Sequence, residues 1–142
     1  MTDRLKEIAG RFAIEGKVGT VRPLGQGFIN DTYFVVLEGE SEPRYILQRK
    51  NHHVFPDVPA MMDNIDRVTR HIKARVSDPL RETLTVIPVS DGKLCLQDDE
   101  GNWWAMCLFI KDSSRFDQAS TPELARQGGL GLGSFPRLVR DF

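Results

Sequence analysis

Charge of one sign is scarce in this sequence. Its 142 residues carry 19 Lys and Arg against 20 Asp and Glu, a formal net charge of -1. A chain so balanced exerts no global pull on nucleic acid or on an anionic membrane. Arg67, Arg70, Lys73 and Arg75 sit among acids on one helical stretch, the pattern of a solvated helix face. Cysteine is nearly missing. Cys95 and Cys107 lie in apolar strand-like runs without CxxC spacing, and two cysteines make no disulfide framework. They read as buried thiols in a reducing compartment. Long apolar runs are missing too. The longest, WWAMCLFI at 103–110, is far short of a membrane span, and MTDRLKEIAGRF at the start has no apolar signal core. The expectation is a soluble cytoplasmic protein with neither a nucleic-acid nor a membrane partner.

Histidine is limited to His52, His53 and His71. Adjacent histidines rarely chelate one ion, and no carboxylate or cysteine completes a metal-ligand spacing, so no metal site is expected. There is no nucleophile elbow and no Ser-His-Asp constellation, so no catalytic residue is assigned. Repeats and low-complexity tracts are absent. What remains, 40% hydrophobic and 27% charged residues, is enough to bury a core.

Leu5, Ile8, Ala9 and Phe12 recur at helical spacing and predict an amphipathic helix over 3–14, with Thr2 as N-cap. Strands are expected at 17–24, 30–37 and 44–50, the second rich in Thr, Tyr, Phe and Val. Two prolines break NHHVFPDVP, and a helix follows over 58–76. Its inward seam is expected at Met61, Ile65, Val68 and Ile72, with the pairs Asp63/Arg67 and Asp66/Arg70 outside it. A fourth strand at 84–90 leads through Asp91-Gly92, a strong hairpin signal, into KLCLQ. The turn DDEG precedes the strand NWWAMCLFI, and KDSSRFDQAS is a polar linker. Thr121-Pro122-Glu123 opens a last helix as N-cap, first-turn proline and first-turn acid. That helix is crowded by Gly128, Gly129, Gly131 and Gly133 and ends at LVRDF without a stop signal, so the natural chain is expected to continue. Short turns between neighbouring strands favour an α+β fold: an antiparallel sheet of about five strands with one packed helix.

The stretch with chemical content is LGQGFINDTYFV, 24–35. A glycine-rich turn between two strands lets backbone N–H groups approach an anion, because no Cβ intervenes. It is neither a Walker loop nor a dinucleotide fingerprint, since no GKS or GKT is present and a strand follows instead of a helix. Taken alone it is most simply a flexible turn. The third strand, YILQRK, adds Arg49, whose guanidinium suits phosphate oxygens; Lys50 points to the other face and is the weaker candidate. For the residue that orients Arg49, helical geometry favours Asn64 and charge favours Asp63. The strand WWAMCLFI runs into a polar linker as a hinge does, with Leu108, Phe109 and Ile110 offering backbone groups and apolar walls to a purine.

LGQGFINDTYFV, YILQRKNHHVF and MMDNIDRVTRHI together resemble the aminoglycoside phosphotransferase and choline kinase superfamily, and within it the N-acetylhexosamine kinase branch. That branch carries a Gly-x-Gly-His-Ile-Asn-Asp-Thr-Tyr loop and an Ile-Leu-Gln-Arg strand; here Phe28 stands in place of the histidine, and Met62-Asp63-Asn64-Ile65 in place of Met-Glu-Asn-Ile. The resemblance runs from about Leu5 to the C-terminus and implies a protein-kinase-like N-lobe over 1–111, with 112–142 as hinge linker and first helix of a catalytic lobe missing from this chain. It implies ATP as cofactor, with Gly25, Gln26, Gly27, Phe28, Ile29, Asn30, Asp31, Thr32 and Arg49 around the phosphates, and Asn30 and Asp31 also holding the turn. Magnesium, the catalytic aspartate and the sugar substrate are expected only with the missing lobe. Arg140-Asp141-Phe142 is not a kinase Asp-Phe-Gly motif, because no glycine follows. The competing expectations are a non-catalytic module that self-associates through Leu130, Leu132, Phe135 and Leu138 of the C-terminal helix, and an unrelated α+β fold whose glycine loop is only a turn.

Overall fold

The computed structural model describes every residue except Met1, Gln26, Arg115 and Asp117. The elements are α1 (Thr2–Gly10), β1 (Val18–Pro23), β2 (Asp31–Leu37), β3 (Tyr45–Lys50), α2 (Val58–Lys73), the single turn α3 (Pro79–Glu82), β4 (Val86–Ile87), β5 (Leu96–Gln97), β6 (Trp103–Leu108) and α4 (Pro122–Val139). The strands form one antiparallel sheet in the order β1-β2-β3-β6-β4, with β5 also on β6. The fold is α+β, and the sheet has six strands where about five are expected from the sequence.

Both faces of the sheet are covered. On one face, Leu5, Ile8 and Ala9 of α1 and Phe12 pack over Val35, Tyr45, Leu47, Trp104 and Met106. On the other, Val58 and Met62 of α2 pack over Ala105 and Cys95. Strand alternation explains the split: Leu47 and Arg49 share the α1 face, while Gln48 and Lys50 share the α2 face. Several sequence expectations are corrected here. Helix α1 stops at Gly10, and Phe12 instead makes an isolated bridge to Val89. The fully buried residues of α2 are Val58, Met62, Thr69 and Ile72; of the expected seam, Ile72 is buried and Met61, Ile65 and Val68 are half-buried, so the helix is turned somewhat toward Met62 and Thr69. Asp57 caps the helix by accepting the Ala60 N–H at 2.9 Å, with Pro59 in the first turn. Asp66 pairs with Arg70 at 2.7 Å as expected, but the Arg67 guanidinium stacks on the Phe142 ring at 5.4 Å.

The turn at Asp91-Gly92 forms, with Gly92 at a φ of 89° and Val89 N–H donating to the Lys93 carbonyl at 2.7 Å. Its two arms do not pair along their length: β4 and β5 each pair with β6 instead. Helix α4 begins as the sequence predicts, with Thr121 Oγ1 accepting the Leu124 N–H at 3.2 Å and Pro122 opening the first turn. It buries no residue, and it exposes Leu130, Leu132 and Phe135. Among the described residues, no helix is long and apolar enough to cross a membrane.

Candidate functional site

The loop between β1 and β2 is closed by Leu24 N–H donating to the Thr32 carbonyl at 2.8 Å. Inside it, a Cβ at Gly27 would lie 2.0 Å from the Asn30 carbonyl oxygen, so only glycine fits this backbone. Gly25 holds a φ of 60°, in the left-handed region. Gln26, one of the expected phosphate-loop residues, lies outside the described residues. Phe28 and Ile29 are exposed at the tip. Asn30 anchors the loop from behind: its Oδ1 accepts the Asn51 N–H at 3.0 Å, just past the end of β3. Asn51 in turn accepts the His53 N–H at 3.0 Å through its side chain and the Phe55 N–H at 2.9 Å through its carbonyl. The loop, the end of β3 and NHHVF are therefore one hydrogen-bonded unit.

Asp31 and Arg49 are direct cross-strand partners, and Arg49 Nε donates to Asp31 Oδ2 at 2.7 Å. The pair opens on a cavity of about 220 Å³ whose lining includes Ile29, Asp31, Arg49, Lys50, Asn51 and His52. The rings of His52 and His53 stack with centroids 4.3 Å apart. Asn64 and Asp63, the two residues expected to orient Arg49, are exposed on α2, across the sheet from the face that carries Arg49. The structure thus brings Arg49 together with Asp31 and not with α2.

The α2 face at the same end of the sheet carries a polar chain. Lys50 Nζ donates to Gln48 Oε1 at 2.6 Å, and Gln48 Nε2 donates to Thr32 Oγ1 at 3.1 Å. Thr32 belongs to the expected phosphate loop, whereas the sequence alone does not point to Gln48 and makes Lys50 the weaker candidate. The signal lies in YILQRK itself. Tyr45 and Leu47 are bulky enough to be claimed by a full core layer, and α1 supplies that layer, which leaves the Gln48/Lys50 face to α2. Lys50 is half-buried, and that burial lowers its pKa, opposed only by its neighbour Cys107. Burial also pushes the Cys107 thiol up to about 11.

At the far end of β3 lies the expected hinge. Two of its backbone donors are already used: Leu108 N–H donates to the Thr85 carbonyl and Phe109 N–H to the Arg44 carbonyl, both at 2.9 Å. Among the described residues the Ile110 N–H has no acceptor, and its carbonyl accepts from Ser113 Oγ at 2.8 Å. Phe109 meets Phe34 edge-on at 5.6 Å, an apolar wall on the α2 face. Among the described residues, no three His, Cys, Asp or Glu side chains group as metal ligands would.

No family model matches the sequence. Among solved structures, the chain is similar to a spectinomycin phosphotransferase, APH(9)-Ia, crystallised in complex with ADP and spectinomycin. The TM-score is 0.59 at 18% identity, over 91% of this chain and 35% of that one. The chain thus spans about a third of the length of the phosphotransferase it resembles. What the two share is the fold: a mixed α+β unit around an antiparallel sheet, of the kinase-like N-lobe type.

Proposed function

We propose that this chain is the nucleotide-binding lobe of a kinase-type small-molecule phosphotransferase. ATP binds with its phosphates at the β1–β2 loop, residues 25–32, and the acceptor is a sugar of the N-acetylhexosamine class. The observation that carries this reading is the loop itself. Gly27 can only be glycine, and Asn30 pins the turn to Asn51 beside the cavity at the end of β3. Such a loop, in a fold like that of a phosphotransferase solved with ADP, is suited to cradle phosphate oxygens.

The base is proposed to reach the Ile110 N–H, the hinge donor left without an acceptor among the described residues. The sugar and the N-acetylhexosamine class rest on INDTY and ILQR alone. Residues 1–111 form the lobe, and 112–142 lead into residues that hold the acceptor, the catalytic carboxylate and magnesium. Phosphoryl transfer needs base, metal and cation together. The reading therefore has this chain bind MgATP weakly, in the cytoplasm, and turn over nothing. Sugar-dependent ATP hydrolysis by the isolated chain would refute it.

A second reading is favoured by one observation. Helix α4 buries nothing while exposing Leu130, Leu132 and Phe135. A self-associating module would hide that face. A monomeric sedimentation profile at high concentration would remove this second reading.

A further inference from the structure

We propose that α4 is a hinged arm, latched to α2 by Asp141 and Phe142 and released by salt. The latch is independent of the nucleotide reading and needs no ligand. Three observations carry it.

The first is what receives the latch. Arg67 and His71 of α2, and Arg75 just past its C-cap Ala74, are spaced four residues apart and stand in one row along the helix. Asp141, just past the end of α4, reaches that row with both carboxylate oxygens. Its Oδ2 accepts from Arg75 Nη2 at 2.9 Å, and its Oδ1 lies 3.2 Å from His71 Nε2. Phe142 meets the His71 ring edge-on at 5.3 Å and lies beside the Arg67 guanidinium at 5.4 Å. Arg75 Nη1 also donates to the His71 carbonyl at 3.0 Å, which orients the guanidinium toward the carboxylate.

The second is what α4 lacks elsewhere. It buries no residue. Among the described residues, its other side-chain hydrogen bonds close on the helix itself or on its cap: Arg126 and Gln127 on Glu123, Ser134 on the Leu130 carbonyl, and Leu124 N–H on Thr121. The third is the space between the helices. A cavity of about 540 Å³, whose lining includes Val68, Ile72, Ile110, Phe135 and Leu138, separates α4 from α2, so apolar packing does not fuse them. The arm is therefore held by the linker at its start and by the latch at its end. Exposed ion pairs are individually weak, and here the Asp141 side chain is 59% and that of Arg75 37% exposed. Salt at about 1 M shrinks the Debye length to about 3 Å and screens them. Ile110 lines the same cavity, so on the nucleotide reading release of the latch carries α4 away from the hinge donor.

The test is NMR of the whole chain as wild type, D141A and R75A, read by the NOE between the ring protons of His71 and Phe142 and by the relaxation of the α4 amides. At low salt the wild type is expected to show the ring-to-ring NOE and a rigid α4. D141A is expected to lose the NOE and to gain fast motion along residues 122–139, as is the wild type at about 1 M salt. R75A, which leaves α4 untouched, is expected to do the same. The sheet amides should not move, and Tm should stay within about 2 °C, as for a surface substitution. An NOE that survives D141A or R75A, or an α4 that stays rigid in them, overturns the latch. A larger fall in Tm with shifted sheet amides also overturns it, because α4 is then packed into the fold. None of these readings involves MgATP, so a chain that ignores MgATP fails the nucleotide reading and leaves the latch standing.

Discussion

Replacing Asp98 by alanine removes the single side chain that organises the β5–β6 turn. Its carboxylate is 4% exposed and accepts four N–H groups. These are the backbone of Glu100 at 3.0 Å and of Asn102 at 2.8 Å, the Asn102 amide at 3.2 Å, and the Trp104 indole at 2.8 Å. Water can replace the acceptor for the donors at the turn surface. It cannot easily do so for the indole, because Trp104 is 4% exposed within the α1-side core. One stranded buried donor costs about 1–3 kcal/mol, and the partly compensated ones add less, so the expected loss is about 3 kcal/mol. For 142 residues the unfolding entropy is about 0.3 kcal/mol/K, which turns this into a fall in Tm of about 10 °C. Arg4 touches the same cluster from α1, pairing with Asp98 and Asp99 at the surface, and Arg4→Ala is expected to lower Tm much less. Burial alone would raise the Asp98 pKa, but the hydrogen bonds from Trp104, Asn102 and Glu100 outweigh it and hold the carboxyl below its ordinary value. With a depressed folded pKa, the stabilisation is complete above the unfolded value of about 3.9 and is lost as pH falls through the folded value. Thermal melts of wild type, D98A and R4A from pH 7 down to pH 3 check both parts. A D98A melt within 2 °C of wild type at pH 7, or equal to that of R4A, would refute the reasoning.

Further outcomes are expected elsewhere. Gly27→Ala places a Cβ 2.0 Å from the Asn30 carbonyl, so the loop must open. The Asn30 and Asn51 amide resonances should move and stability should drop by about 1–3 kcal/mol; an unchanged spectrum would show that the turn is not so tight. Leu47→Ala empties a fully buried site under α1 and should cost about 3 kcal/mol by denaturant unfolding, whereas Leu132→Ala on the exposed face of α4 should stay within about 0.5 kcal/mol. The Cys107 thiol, at about 11, is ionised to roughly one part in a thousand at pH 8 and should resist iodoacetamide until the chain is unfolded. Stoichiometric alkylation of Cys107 in the native state would contradict its placement between sheet and helix.

The sequence was most legible where local rules act alone. The strands at Val18–Pro23, Asp31–Leu37 and Tyr45–Lys50 lie within a residue or so of where alternation puts them, and Thr121-Pro122 opens α4 as its chemistry dictates. The α+β class followed from short turns between strands. It was least legible where a long-range partner decides. Which face of YILQRK meets α2 depends on where α1 packs, and nothing within six residues encodes that. At α2, Val58 and Met62 are fully buried over Ala105 and Cys95 while Met61 and Ile65 are only partly buried against them, a turn of the helix that its own pattern does not encode. Alternation over 84–90 predicts one strand; pairing with β6 keeps only Val86–Ile87, and Val89 turns away to bridge Phe12. At the candidate site, the glycine loop and the anchoring role of Asn30 were readable from turn chemistry. The Asp31–Arg49 pairing needed the β2–β3 register, which sets those two residues opposite each other. The used hinge amides needed Thr85 and Arg44, which lie 23 and 65 residues away from their partners Leu108 and Phe109 in sequence (108 − 85 and 109 − 44).

The most direct test of the central claim is an amide-resolved NMR titration of the whole chain with MgATP. The account predicts shifts gathered at Gly25 and Gly27 to Thr32, at Gln48 to Lys50, and at Ile110, all along the α2 face and the loop end of the sheet. A well-dispersed spectrum that does not respond, or responds only on the α1 face, would contradict a nucleotide site at this loop.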